Sequence, residues 1–438
     1  MRRIPMICLL LAVLILTGCS VQTVDDLYSP PKRSEQYNNL QSSIDNAMTE
    51  LEYSAPLAGE YQQAVQMADL DGDGTQEYLL FAKGNTEKPL KILIFRELNG
   101  TYTHVDTIES NGTSFDQIEY MPMDDRPGME IVVGRQLSGQ VLRSVSVYTY
   151  TDGKAEQLLT VNYTKFLSTD LDENGSKELF VLRPGVSNTD NGVAEFYSVR
   201  EGAVERSNEV NMSQPADMLK RIVVGRLHEG CPAVYVASTV GDTAIITDVY
   251  ACVSDMLTNV TFSNESGTSV QTMRNYYVYA DDIDFDGIVE LPHLMTMKAL
   301  AGTEGADRHD LIRWYAMKSD GGEVDKMCTY HNFVGGWYMR LNSDWAPRLT
   351  VVNVGYRYEF YIWNETYTWA EKVMTVYALT GQNREEQSRM DGRFVLLKTE
   401  SVIYAADLED GAQNYGIQQR DAVEGFRLIR QDWKTGET

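Results

Sequence analysis

The sequence predicts a mainly β protein assembled from repeated strand–loop–strand units. Three acidic loops of one design are each flanked by short segments rich in β-branched and aromatic residues, and more such segments follow after about residue 332. The chain has 438 residues, of which 43% are hydrophobic and six are tryptophan. This length and composition allow two or three domains with substantial apolar cores.

The acidic loops place oxygen-bearing side chains at positions one, three, five and nine, and a glycine at position six. These side chains are Asp69, Asp71, Asp73 and Glu77 in the first loop, Asp170, Asp172, Asn174 and Glu178 in the second, and Asp282, Asp284, Asp286 and Glu290 in the third. Backbone carbonyls at position seven would complete each set, from Thr75, Ser176 and Ile288. Calcium takes six to eight oxygen ligands, and a glycine at position six permits the sharp turn. We therefore expect three structural Ca²⁺ sites.

The segments around the loops predict strands rather than helices. A helix–loop–helix calcium site has a bidentate glutamate at position twelve, whereas these loops have Leu80, Val181 and His293 there. Residues 64–67 and 78–81 bracket the first loop with apolar and β-branched side chains, and similar runs bracket the second. The repeated unit is therefore a strand, a cation loop and a second strand.

The loops and their flanks resemble the FG-GAP and VCBS repeat families, bacterial relatives of the integrin α-subunit propeller, over roughly residues 60 to 330. The resemblance implies a β-propeller whose calcium loops join the first two strands of a blade. The three loops begin 101 and 112 residues apart (Asp69 to Asp170 and Asp170 to Asp282), which leaves room for two blades of roughly 40 to 50 residues in each interval. Degenerate, metal-free copies are expected at 124–130 and 222–236. This gives a propeller of at least five blades, of which five are recognisable within residues 56–332.

The first residues predict a lipoprotein signal peptide over residues 1–19. A short basic end precedes an apolar stretch from Met6 to Ile15, which is too short to span a membrane. Leu16, Thr17 and Gly18 then precede Cys19, as in a bacterial lipobox, so we expect Cys19 to be lipidated. The alternative is an ordinary signal peptide with a cysteine there by chance. A lipid anchor would place the protein on the extracytoplasmic face of a bacterial membrane.

Residues 20–55 predict a polar tether followed by an amphipathic helix. Pro30 and Pro31 exclude helix from the tether. Apolar residues then recur at steps of three and four from Tyr37 to Leu51, which favours a helix that packs on the sheets or caps them. A helix that binds a partner is the alternative.

Residues 333–438 predict a C-terminal α+β domain. Strands are expected at 337–341, 349–352, 356–363, 373–377 and 394–405, and helices at 383–390 and 420–429. Its aromatic residues are either core filling or a platform that stacks on sugars, and the four candidates for stacking are Trp337, Trp345, Trp363 and Trp369.

Composition narrows the function without fixing it. The formal net charge of −25 argues against nucleic acid and anionic lipid as partners, because both require a basic surface. The five histidines form no pair at metal-ligand spacing, and no nucleophile motif is present, so no catalytic residue is assigned. Cys231 and Cys252 are open to either a disulfide or two free thiols, and Cys328 favours burial over catalysis.

Three classes of function stay open on this basis. We expect a membrane-anchored, extracytoplasmic binding or scaffolding protein, with a protein or a cell-envelope polysaccharide as partner and the lipid as its only membrane contact. The first alternative is an envelope enzyme that acts on polysaccharide through two carboxylates. The second is an architectural subunit of a membrane complex.

Overall fold

A computed structural model describes residues 35–123, 126–138, 142–187, 190–200, 203–275, 278–302 and 310–430. The predicted signal peptide, Cys19 and the tether lie outside these residues. The described chain is mainly β, with six antiparallel sheets that follow one another along the sequence. None of its helices is long and apolar enough to cross a membrane.

The predicted amphipathic helix is present as α1 (Glu35–Ala47). Its apolar stripe carries Leu40 and Ile44, which are buried against Leu80 and Phe95 of the first sheet. The helix therefore packs on the sheets, as its periodicity predicts.

The first two sheets come from residues 52–163. The first sheet consists of β1 (Glu52–Tyr53), β2 (Val65–Ala68), β3 (Glu77–Lys83), β4 (Leu90–Leu98) and β5 (Thr101–Ser110). The second consists of β6 (Ser114–Met121), β7 (Glu130–Ser138), β8 (Leu142–Thr151) and β9 (Lys154–Tyr163). Consecutive strands are hydrogen-bonded neighbours, except that β1 and β2 both pair with β3.

The third and fourth sheets are four-stranded meanders of the same kind. The third consists of β10 (Lys165–Thr169), β11 (Glu178–Arg183), β12 (Val193–Arg200) and β13 (Ala203–Asn211). The fourth consists of β14 (Leu219–Arg226), β15 (Pro232–Val240), β16 (Ala244–Val253) and β17 (Met256–Asn259). The predicted degenerate copies therefore form real sheets, around β7 and around β14 and β15.

The fifth and sixth sheets are interleaved near the end of the chain. The fifth consists of β18 (Glu290–Met295), β19 (Asp310–Met317), β20 (Glu323–Asn332), β21 (Trp337–Leu341) and, at its far edge, β27 (Phe426–Leu428). The sixth consists of β22 (Leu349–Val354), β23 (Arg357–Trp363), β24 (Ala370–Leu379), β25 (Phe394–Lys398) and β26 (Ile403–Leu408), with β26 between β24 and β25. Two short helices, α2 (Arg384–Gln387) and α3 (Gln419–Gly425), accompany them.

Each sheet shares an apolar core with the next. Alternate side chains of a strand point to opposite faces of its sheet, so one strand can serve two such cores. Val132, Phe166 and Val181 join the second sheet to the third, whereas Phe180, Val234 and Tyr250 join the third to the fourth. Further clusters join the first and second, the fourth and fifth, and the fifth and sixth sheets.

The first and sixth sheets end the series. Helix α1 covers the face of the first sheet that is turned away from the second sheet. Within the described residues no core cluster joins the sixth sheet to the first. The circular closure that the family resemblance implies is therefore not observed in the described residues, which form a mainly β series of packed antiparallel sheets.

The tail differs from the α+β domain expected over 333–438. The hairpin of β20 and β21 crosses the expected boundary, and β27 returns to the edge of β21. The expected strand at 394–405 is two strands, and the expected helix at 420–429 ends at Gly425, after which Phe426 starts β27. The tail is thus mainly β, because its aromatic and β-branched residues fill the core between the fifth and sixth sheets.

Candidate metal centres

The three acidic loops adopt one backbone conformation. Position six, a glycine in each loop, has a left-handed φ of 86°, 92° and 87° at Gly74, Gly175 and Gly287. Position four is also left-handed, with φ of 72° at Gly72, 59° at Glu173 and 64° at Phe285. A β-carbon at position six would meet no atom, so the glycines are required for their φ and not for space.

Equivalent hydrogen bonds hold each loop. The position-six amide donates to the position-one carboxylate, at 3.0 Å in the first loop, 3.1 Å in the second and 2.9 Å in the third. The position-seven amide donates to the position-five side chain at 2.7, 2.7 and 2.9 Å. The position-two amide donates to the glutamate at position nine at 3.0, 3.0 and 3.2 Å. The sequence spacing therefore encodes one shared local structure.

Strands position the loops as predicted in the first two cases. The first loop joins β2 to β3 and the second joins β10 to β11. In the third, a single bridge between Asp281 and Glu290 replaces the preceding strand, and β18 follows the loop. The aromatic segment 275–279 before the third loop also predicts a strand, but its residues Tyr276 and Tyr277 lie outside the described residues.

In each loop the side chains at positions one, three and nine converge. The groups are Asp69, Asp71 and Glu77; Asp170, Asp172 and Glu178; and Asp282, Asp284 and Glu290. Within a group, one carboxylate oxygen from each residue lies within 4.8 Å of the others. Oxygen-rich, anionic sets of this kind suit hard divalent cations. These three sets could each hold a metal ion, whereas the carboxylates of Asp73 and Asp286 at position five are not part of the convergent groups.

Buried oxygens without a hydrogen bond support a bound cation. Glu77, Glu178 and Glu290 are 0% exposed. One oxygen of Glu77 and one of Glu290 accept no hydrogen bond, and neither does one buried oxygen of Asp170 or of Asp284. An unsatisfied buried carboxylate oxygen is costly unless a cation neutralises it. The residues present therefore fit a divalent ion.

Burial and mutual repulsion also raise the pKa of the glutamates. Desolvation and the neighbouring aspartates raise the pKa of Glu178 to about 7 and that of Glu290 to about 8. Desolvation likewise raises the pKa of Glu77. A bound divalent ion reverses this effect, because its charge favours the ionised carboxylate.

Basic side chains contact candidate ligand carboxylates in the first and third loops. Arg96 on β4 lies 2.8 Å from Asp71 and 2.7 Å from Asp73. Lys326 on β20 pairs with Asp286 in the third loop. The hydrogen bond from the Thr75 amide, followed by that from Arg96, lowers the pKa of Asp73. Sequence reasoning did not single out either basic residue, because both lie on strands away from the loops in the sequence.

A fourth loop, between β6 and β7, retains part of the design. Glu130 accepts a hydrogen bond from the Met123 amide at 2.9 Å, as the position-nine glutamates do. Arg126, which falls at position five of this numbering, lies 3.6 Å from Glu130. From the sequence, this loop is expected to be a degenerate, metal-free copy. The signal that identifies Glu130 is its place directly before an apolar strand, as for Glu77.

The four tryptophans proposed for stacking occupy different environments. Trp337 is fully buried and stacks on Phe426 at 5.2 Å, so its role is core packing and not ligand binding. Trp345 is buried and lines a cleft of about 380 Å³ between the fifth and sixth sheets. Trp363 is buried beneath Lys298, whose ammonium lies 4.5 Å from the ring centroid. Trp369 is 55% exposed.

The cysteines and histidines bring no catalytic group together in the described residues. Cys231 and Cys252 are free thiols, which removes the disulfide alternative, and Cys328 is a free thiol that is buried. Burial raises the pKa of Cys328 and makes it a poor nucleophile. His331 is buried among aromatic rings, and His309 lies outside the described residues.

Comparison with known proteins identifies no family for this chain. No family model matches it, and no curated protein does. Among solved structures it is similar to the exotype rhamnogalacturonan lyase YesX, with 13% identity over 75% of this chain and 72% of the lyase, at a TM-score of 0.27. A putative 6-phosphogluconolactonase from Bacteroides uniformis matches with 10% identity over 74% of this chain and 94% of the lactonase, at a TM-score of 0.29.

TolB from Acinetobacter baumannii matches with 10% identity over 78% of this chain and 70% of its own, at a TM-score of 0.24. Identities and scores as low as these establish neither a shared activity nor a shared fold. The candidate function therefore rests on the site itself.

Proposed function

We propose that this protein is a lipid-anchored, extracytoplasmic binding or scaffolding protein whose β-sheet framework is stabilised by structural Ca²⁺. The single observation that carries the calcium part is the repeated geometry of the acidic loops. Three convergent carboxylate groups of equal make-up occur, each with a buried glutamate at position nine. Carboxylates that only keep a surface solvated have no reason to repeat one geometry three times.

Calcium fits these groups better than the other common divalent ions. All the convergent ligands are oxygens, which disfavours zinc, copper and the other metals that prefer nitrogen or sulfur. Magnesium demands near-ideal octahedral geometry and keeps several waters, whereas calcium accepts an irregular set of carboxylates and carbonyls. The carbonyls of Thr75, Ser176 and Ile288 are proposed to complete the coordination. The ion acts by neutralising the carboxylates and joining two strands across the turn.

The proposed architecture is a propeller-like series of FG-GAP or VCBS blades. Four features support it: the sheets follow one another in the sequence, the second, third and fourth are simple four-stranded meanders, neighbours pack face to face, and the acidic loop joins two paired strands in the first and third sheets. Repetition of one unit presents a broad rigid surface, which suits recognition of a large partner.

The binding role rests on this framework together with the N-terminal motif. A lipid at Cys19 and a polar tether to residue 34 would hold the sheets away from the membrane, facing the partner. Of the four tryptophans, Trp369 is exposed and Trp345 lines a cleft, so these two are proposed to contact a sugar or a peptide. The proposed partner is a protein or an envelope polysaccharide.

Direct calcium binding tests the first half of the proposal. Equilibrium dialysis of lipid-free protein against ⁴⁵Ca²⁺ should reveal several bound ions per chain, up to three, at millimolar calcium or below. A variant in which Asp69, Asp170 and Asp282 are all replaced by asparagine should bind none at these positions. Equal binding by this variant and the wild type would refute the assignment.

Partner capture tests the second half. Lipid-free protein carrying an affinity tag should retain envelope polysaccharide on a glycan array, or a secreted protein in a pull-down, in the presence of calcium. The matched control is the triple asparagine variant, which keeps the same surface outside the loops. Blank results with both classes of partner would refute a binding role.

A further inference from the structure

The buried glutamate oxygen that accepts no backbone hydrogen bond faces a nitrogen atom in all four loops. In three loops that nitrogen is cationic: Arg96 Nε lies 3.7 Å from Glu77 Oε1, Arg126 Nη2 lies 3.6 Å from Glu130 Oε1, and Lys326 Nζ lies 3.8 Å from Glu290 Oε1. In the second loop the nitrogen is neutral, because Asn174 Nδ2 lies 3.4 Å from Glu178 Oε1. The second loop thus differs from the other three.

The three cations reach this place from different elements. Arg96 belongs to β4, and the pairing of Tyr78 with Phe95 puts Arg96 opposite Glu77. Arg126 belongs to the loop itself, and Lys326 comes from β20, which is not hydrogen-bonded to β18. Three independent origins for one charge at one place indicate that the charge, and not a particular strand contact, is what the buried glutamate requires.

The side chain at position five also separates the second loop from the first and third loops. It is an aspartate in the first and third loops, where Asp73 pairs with Arg96 of β4 and Asp286 pairs with Lys326 of β20. The second loop has Asn174 instead, with no cationic side chain on its convergent carboxylates in the described residues. Its neighbouring Arg226 pairs with the exposed Glu173 at position four, 2.7 Å away, and not with Glu178.

We propose that the second loop is the highest-affinity calcium site, and that Arg96 and Lys326 are resident counter-ions which weaken calcium binding at the first and third loops. This inference rests on the proposed function. Calcium entering the first or third loop meets a positive charge already on its ligands and has to displace it. Calcium entering the second loop meets three carboxylates with no such competitor. In the fourth loop the cation comes from the loop itself, because Arg126 occupies position five.

The arrangement gives the protein a graded response to calcium. At low calcium only the third sheet gains an ion, across β10 and β11. At higher calcium the first and fifth sheets gain theirs, because the ion then competes with Arg96 and Lys326. Both basic side chains are partly exposed, at 26% and 16%, so each can move into solvent when it is displaced.

The test is isothermal titration calorimetry of the purified protein with calcium chloride, comparing single asparagine variants. Replacing Asp170 should remove the tightest binding event, whereas replacing Asp69 or Asp282 should remove a weaker one. Asparagine keeps the oxygen that accepts the position-six amide, so the loop fold is preserved while its charge falls. Circular dichroism in EDTA checks that each variant is folded.

Two reciprocal variants test the counter-ions. Arg96→Met should tighten the first site by about tenfold or more, because it removes a positive charge within 4 Å of the ligands. Arg96→Lys, which keeps the charge, is its matched control and should leave the affinity within about threefold of wild type. Ser198→Arg should weaken the second site, because the pairing of Leu179 with Tyr197 puts Ser198 opposite Glu178 as Arg96 is opposite Glu77.

The outcomes separate the two proposals. If wild-type protein binds no calcium, the proposed function fails and this inference fails with it. If calcium binds with indistinguishable affinities, or if Arg96→Met weakens the first site, the inference alone is wrong. Should Ser198→Arg not fold, the Arg96 pair of variants still decides the matter, because Arg96 is partly exposed.

Discussion

The glutamate at position nine shows how one residue can create the need for a cation. In each loop this glutamate (Glu77, Glu178 or Glu290) is fully buried, and one of its oxygens accepts a hydrogen bond from the position-two amide. Burial of a carboxylate without a counter-charge is unfavourable, so the loop tolerates the residue only with a positive partner. Arginine, lysine and a metal ion are alternative partners, and the chain uses the first two where the structure shows them.

Replacing Asp170 by asparagine should lower stability in calcium but not in EDTA. In EDTA the variant should be equal to wild type or more stable, because one of three converging charges is gone. In 10 mM calcium the wild type should be more stable by about 1–3 kcal/mol, the gain expected at roughly ten to a hundred times the dissociation constant. Urea unfolding followed by tryptophan fluorescence measures both. A variant less stable than wild type in EDTA would contradict a repulsive cluster.

Replacing His331 by phenylalanine should flatten the acid side of the stability profile. Burial lowers the pKa of His331 to about 3, and its ring stacks on Tyr338 at 5.0 Å. The unfolded chain therefore binds a proton between pH 6.5 and 3 that the folded chain does not. The contribution of neutral His331 to the free energy of unfolding is fully present above pH 6.5. It is lost on acidification at up to about 1.4 kcal/mol per pH unit.

The variant keeps the aromatic ring and removes this proton, so its free energy of unfolding should fall less steeply between pH 7 and pH 4. Urea unfolding at each pH provides the comparison, with the difference between the two proteins isolating the histidine from other titrating groups. Parallel profiles would mean that His331 binds its proton equally in the folded and unfolded chain.

At the scale of elements, the acidic loops and their strands were predictable, because local chemistry dictates them. Aspartate and glycine at fixed spacing enforce the amide–carboxylate hydrogen bonds and the left-handed positions. Lys326 and β27 were not predictable, since each reaches its place through pairing far along the chain. The sixth sheet was missed as a repeat because its turns, at Gly355 and Tyr367, carry no acidic ladder.

Helix α1 should stabilise the first sheet through two residues. Leu40→Ala and Ile44→Ala should each cost about 2–5 kcal/mol of unfolding free energy, because each side chain is buried against the sheet. Asn46→Ala, on the exposed side of the same helix, should change stability by less than about 0.5 kcal/mol. Urea unfolding combined with amide hydrogen exchange in β3 and β4 measures the effect. Unchanged exchange in the first two variants would show that the helix does not hold this sheet.

At the scale of the whole molecule, the sheets form a series in which each core depends on the next. A sheet in such a series is stable mainly through its neighbours, so a local clamp at one loop supports more than its own two strands. Metal ions bound at the three convergent groups, in the first, third and fifth sheets, would leave no sheet from the first to the fifth more than one step from a metal site. The net charge of −25 also favours cation binding, because without bound ions the carboxylates of the loops repel one another.

The most direct measurement of the central claim is the thermal unfolding of the purified protein in calcium and in EDTA. If cations hold the loops, the melting temperature rises steadily with the logarithm of the calcium concentration once the sites begin to fill, because the ion binds the folded form alone. The triple variant lacking Asp69, Asp170 and Asp282 should show no such rise. Superimposable wild-type melting curves in 10 mM calcium and in EDTA would contradict the account.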